Sequence, residues 1–162
     1  MSKQIPIQNL SEPLKQLLDE TFTKVHGIFL DKGTTLFDTL DNVTAEEASQ
    51  SISSNSATIA AQVEHLRFYL DVLNSYIREK EIAKVNWREI WETVREVTPS
   101  EWEAIKTRLR TSHTEVLNTI NSFENWDSEY EIGGALSILT HTAYHLGGIR
   151  VTLGAIRGQR NK

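Results

Sequence analysis

Apolar residues recur along this chain at spacings of three and four, and no segment alternates convincingly at period two. That pattern predicts helices and no sheet, so the fold class read from the sequence is all-α. The first stripe, Leu10, Leu14, Leu17, Thr21, Val25 and Ile28, predicts a helix over residues 10–30. Gly27 and Gly33 interrupt it and predict a break, with a short helix from Thr34 to Leu40 beyond. Thr44, with Glu47 three residues later, reads as a capping box opening a helical turn over 44–49. A serine-rich loop, SQSISSNS, follows. Ile59, Val63, Leu66, Leu70, Leu73 and Ile77 then predict a helix over 56–80. A second stripe on it, His65, Tyr69, Val72 and Tyr76, widens the apolar face, so this helix is expected to be well buried. Trp102, Ile105, Leu109, His113, Val116, Ile120 and Phe123 predict a third helix over 98–124. Ala135, Ile138, Thr142, Ile149, Leu153 and Ile156 predict a fourth over 134–157. Pro13 and Pro99 stand where helices can begin.

The connector between the second and third long helices is too long for a tight hairpin. A helix of about 25 residues is roughly 37 Å long, and an extended connector over residues 81–97 can run back along it. The second and third helices can therefore lie parallel, joined by a crossover. Trp87 and Trp91, at helical spacing inside it, are expected to pin it to the bundle.

Length and charge narrow the class. The 162 residues suit one domain over 1–162, and no composition shift or repeat divides them. The net charge of −5 argues against nucleic acid and anionic membranes as partners. No apolar run is long enough to span a bilayer, and the first ten residues lack the core of a signal peptide. A cytoplasmic location is the default. There are no cysteines, which excludes disulfides, thiolate ligands and a cysteine nucleophile. Imidazole chemistry falls to five histidines.

The sharpest local feature is His141-Thr-Ala-Tyr-His145. Histidines at i and i+4 share a helix face and can grip one divalent ion. His65 is the best third ligand, because all three flank the main apolar stripes of their helices. The competing reading is a satisfied pair on an amphipathic helix. Three imidazoles without a carboxylate suit zinc, nickel or another late first-row ion. An open position on such an ion lowers the pKa of water, or activates a substrate thiol or hydroxyl. Gly148, one turn further on, either leaves room for a ligand or allows close helix packing. Glu64 is expected to point to solvent despite being next to His65. His113 lies inside a stripe and reads as a core histidine. His26 is a surface or capping residue, or else the one candidate catalytic residue that reaches the pocket. Arg150 and Arg157 complement the helix dipole or meet a substrate carboxylate. Tyr144 and the tryptophans read as packing rather than stacking platforms.

Gln62-Val63-Glu64-His65-Leu66, followed far downstream by His141-Thr-Ala-Tyr-His145-Leu-Gly-Gly-Ile-Arg150, resembles the DinB-like family. That family is named for a DNA-damage-inducible bacterial protein and includes the YfiT-like metal hydrolases. Its members place one histidine in the second bundle helix and an HxxxH in the fourth, often as YHxGQI. Gly148 stands here where glutamine is common, and Asn86-Trp87 in the crossover also looks like the family. The resemblance covers residues 10–157. It implies a four-helix bundle with up-down-down-up connectivity, a divalent metal such as zinc or nickel on His65, His141 and His145, and a homodimer. It also implies a hydrolase, or a transferase or isomerase dependent on a low-molecular-weight thiol, acting on a small molecule. A non-catalytic bundle that binds a metal or small molecule is the alternative, and a structural dimer with core histidines a third. DNA binding does not follow from the family's name.

Overall fold

The computed structural model describes residues 5–81 and 84–160. They form α1 (Gln8–Phe22), α2 (Leu36–Asp41), α3 (Ala45–Ser49), α4 (Ile59–Glu79), α5 (Arg88–Thr93), α6 (Pro99–Asn121) and α7 (Glu129–Arg160). There is no strand among the described residues, as the absent period-two pattern requires. α4 packs between α6 and α7, and α1 lies against α7. One core runs through all four long helices, including Leu18, Leu66, Leu109 and Ile149.

Capping explains where several helices start. Thr58 and Thr98 cap α4 and α6, Pro99 follows at the first helical position, and Glu101 completes a capping box. The expected box at Thr44 and Glu47 opens α3. Helix α1 behaves differently. It starts at Gln8 with no side-chain cap, so Pro13 falls inside it rather than at its start.

Helix α1 also ends at Phe22, well short of residue 30. The reason is Glu20. Its buried carboxylate accepts the backbone N–H groups of His26 (3.2 Å), Ile28 (3.0 Å), Phe29 (2.9 Å) and Leu30 (2.7 Å). These donors would otherwise feed helical bonds, and Gly27, at φ +78°, turns the chain to present them. Burial alone would raise the Glu20 pKa, but the four N–H groups hold it down at about 2. The buried face of α1 is consequently Leu14, Leu18 and Phe22, and Ile28 is half exposed.

The other boundaries shift outward or inward by a few residues. α4 begins at Ile59, and α7 starts at Glu129 and continues to Arg160. Helices α4 and α7 are antiparallel: Gln62 opposes Gly148, His65 opposes His141 and His145, and Ile77 opposes Gly134. A Cβ on Gly134 would collide with the Ile77 side chain, so glycine sets how closely the two helices approach at that end. Arg157 does not merely face the end of its helix. It pairs with Glu47 at 2.8 Å and donates to the Asn42 carbonyl, tying α7 to α3. Arg150 donates to the Thr34 carbonyl. No described helix is long and apolar enough to cross a membrane.

Candidate metal centre

The pocket is built from the middle of α4 and the middle of α7. His65 leaves α4 on the face turned to α7, and His141 and His145, one turn apart, leave α7 toward it. One nitrogen from each of the three rings lies within 4.8 Å of the others. The Nε2 atoms of His65 and His141 are 3.2 Å apart. A zinc ion with bonds of 2.0–2.1 Å in tetrahedral geometry sets its ligand atoms about 3.3 Å apart, so this pair already has the spacing of two ligands.

The electrostatics point the same way. His65 and His145 are buried and His141 is half-buried. Burial pushes the pKa of His145 down to about 4, helped by His141 and His65. Burial and then the nearby His65 bring His141 to about 4, and burial lowers His65. All three rings are therefore neutral at pH 7, the form in which imidazole ligates. Among the described residues, no hydrogen bond other than the His65–His141 contact engages these rings, so their converging nitrogens are free to hold a divalent ion; the other nitrogen of His65, Nδ1, is buried without a partner.

Aromatic side chains hold the rings in place. The Trp91 ring lies 4.5 Å from His65 and Trp87 meets it edge-on at 5.7 Å. The expected pinning of the crossover is thus real, and it is His65 itself that α5 covers. Tyr69 stacks on His141 with ring centres 3.6 Å apart. Its phenol pKa is raised by burial against a hydrogen bond from Ser137.

A pocket of about 560 Å³ opens beside the cluster. Its walls are Trp91, Ala57, Gln62, Tyr144 and Gly148, with the three histidines at the base. Tyr144 is 76% exposed, so it belongs to the rim and not to the packing assigned from its sequence position. A Cβ on Gly148 would lie 3.0 Å from Gln62 Oε1. The glycine therefore lines the pocket and also makes room for the Gln62 amide from the opposite helix.

The remaining candidates lie elsewhere. His113 stacks on Phe22 at 4.3 Å and meets Phe37 edge-on, a core histidine as its stripe indicates. His26 sits at the end of the segment that Glu20 anchors, with Nε2 2.6 Å from Asp19, and does not line the histidine pocket. Glu64 does not point freely to solvent. It pairs with Arg67 and with Arg108 of α6. Sequence reading missed Gln62, although its position three before His65 places it on the same face of α4.

No curated protein and no solved structure matches the chain. A family model described as the DinB superfamily matches residues 30–149, which include α4, the crossover, α6 and the HxxxH of α7. With that match over most of its length and the three histidines gathered where α4 faces α7, the chain belongs to the DinB superfamily.

Proposed function

We propose that this protein is a divalent-metal-dependent enzyme acting on a small molecule, with His65, His141 and His145 as the metal ligands. One observation carries the reading: three neutral imidazoles converge at the base of an open pocket. Zinc or nickel suits a donor set of three nitrogens. When bound, the ion supplies Lewis acidity to a water or thiol beside it. The protein's own residues do the rest. Tyr69 and Trp91 fix the orientation of His141 and His65. Trp91 and Ala57 make one side apolar, and the Gln62 amide offers a donor and an acceptor to a substrate. The reaction is hydrolysis, or transfer of a low-molecular-weight thiol to an electrophile.

A second reading, binding without turnover, draws on the absence of any carboxylate among the described residues that line the pocket. Metal analysis of the purified protein followed by a screen of thiol conjugation and of ester and amide hydrolysis separates the two. Turnover that depends on the metal supports the enzyme. A stoichiometric metal with no turnover in either screen supports the binder.

Around that site we take residues 1–162 as one domain, because a single core reaches from Leu14 to Ile156. We read the four long helices as an up-down-down-up bundle, in keeping with the antiparallel α4 and α7 and the long crossover. A homodimer is proposed on family grounds, with Leu136 and Val151 as exposed apolar side chains on the outer face of α7. Sedimentation showing only monomer at micromolar concentration refutes it. A cytoplasmic location completes the proposal.

A further inference from the structure

Trp91 and Ala57 are walls of two pockets, not one. On their far side lies a second depression of about 690 Å³, between the serine-rich loop and α5. Its character is different. The histidine pocket is lined mainly by rings, whereas this one is lined largely by polar residues, among them Ser51, Ser54, Asn55, Ser56, Arg88 and Arg95, with the Ser51 and Ser56 hydroxyls donating to the Ser53 carbonyl within the loop. The N-terminal turn of the 21-residue helix α4, at Thr58 and Ala61, closes one end. That turn adds the positive end of the helix dipole.

Arg67, Arg108, Arg110, Arg157 and Arg160 are held by carboxylates, and Arg150 donates to a backbone carbonyl, whereas Arg78, Arg88 and Arg95 are not so engaged among the described residues, and of these three Arg88 and Arg95 share one groove. Arg88 and Arg95 have no ion-pair partner within 4.0 Å among the described residues, although Glu92 and Glu96 share their groove. Those two glutamates balance the formal charge. A polyphosphate would meet both of them, whereas a single carboxylate can take the planar fork of a guanidinium.

We propose that this groove is a second subsite, which holds a carboxylate on the substrate while the reactive end of the same molecule lies at the histidine cluster. The proposal rests on the metal-site reading above. The substrate class that follows is a small molecule with a metal-seeking or electrophilic head and a carboxylate tail, bent past the Trp91 indole.

The test uses the full chain loaded with cobalt, whose thiolate charge-transfer absorption reports a thiol at the metal. A homologous series of ω-mercapto carboxylates is titrated against ω-mercapto alcohols of equal chain length at low ionic strength. At the best length the carboxylate should bind about tenfold more tightly than the alcohol. Arg88→Gln/Arg95→Gln should erase that advantage, leaving cobalt content and alcohol affinity unchanged. Both side chains are exposed, so folding is not at stake. Arg78→Gln, on the last turn of α4 and outside both pockets, controls for net charge and should retain the advantage. A carboxylate advantage absent at every length, or one that survives the double variant, overturns the subsite and leaves the metal site standing. Failure to bind cobalt at all overturns the metal site, and the subsite with it.

Discussion

The three histidines at the pocket and His113 in the core invite comparison. His65, His145 and His113 are buried to nearly the same degree, at 7%, 7% and 6% exposure. Burial pushes His113 and His145 alike to a pKa of about 4, and His65 and His113 each leave a ring nitrogen without a partner. None of these properties tells the two regions apart. What differs is convergence and access. His113 faces two phenylalanine rings and no other imidazole. The other three turn their nitrogens toward one point and open to a pocket. A perturbed, unpartnered histidine is thus a statement about burial, and only the company it keeps makes it a ligand.

Substitution should separate the two regions most sharply. His145→Ala is expected to lower metal affinity by at least about 100-fold, with helical circular dichroism retained, because the apolar stripes carry folding. Metal content after dialysis reads this directly. His113→Ala is expected to do the reverse. It should cost about 2–4 kcal/mol through the cavity left between Phe22 and Phe37, measured by urea unfolding, with full metal content. If His145→Ala stays loaded while His113→Ala loses metal, the site must be redrawn around α6.

Acidity sharpens the same contrast. The unfolded chain protonates its histidines near the ordinary value of about 6.5, while folded His113, His141 and His145 resist until about 4. Above pH ~6.5 neither state takes up these protons, and stability is unaffected. As pH falls from about 6.5 to about 4 the unfolded state gains protons first, so stability is lost across that window. The metal-free protein should therefore melt at lower temperature at pH ~5 than at pH ~7. His145→Ala should flatten the decline, and His113→Ala should flatten it further when combined. Melting curves at several pH values test both.

Smaller effects are expected nearer the edge. Trp91→Ala removes the ring against His65 and should weaken metal affinity about three- to tenfold, readable by competition with a chelator. His26→Ala breaks one partly exposed pairing with Asp19, should cost at most about 1 kcal/mol, and should leave metal content and turnover unchanged. Lost turnover with the metal kept would return His26 to the catalytic candidates.

Much of this was legible in the sequence, and the limits were physical. The stripes of α4, α6 and α7 are long and regular, so their existence and the buried role of His113 followed from spacing, whereas spacing only made His65 a candidate partner for the HxxxH and the family resemblance added the rest. The end of α1 did not. Val25 and Ile28 continue a helical stripe, and nothing local says that Glu20 will draw the N–H groups of residues 26–30 to itself. Tyr144 failed for a related reason. Periodicity places it one residue before His145, but only the tertiary arrangement decides that this direction is open. The second depression beside Trp91 depends on where the serine-rich loop comes to rest, which no local pattern encodes.

The anchoring of residues 26–30 by Glu20 bears on how this molecule meets a protease. By side-chain exposure the segment looks vulnerable: Ile28 is 50% and Phe29 46% exposed, with glycines at positions 27 and 33. Cleavage, however, needs an extended backbone that can leave the surface, and here the amides are tethered to one buried carboxylate. Deuterium should enter the amides of Ile28, Phe29 and Leu30 slowly, as if they belonged to a helix. A single Glu20→Gln exchange, which weakens the acceptor, should turn the same stretch into the first nick in limited digestion.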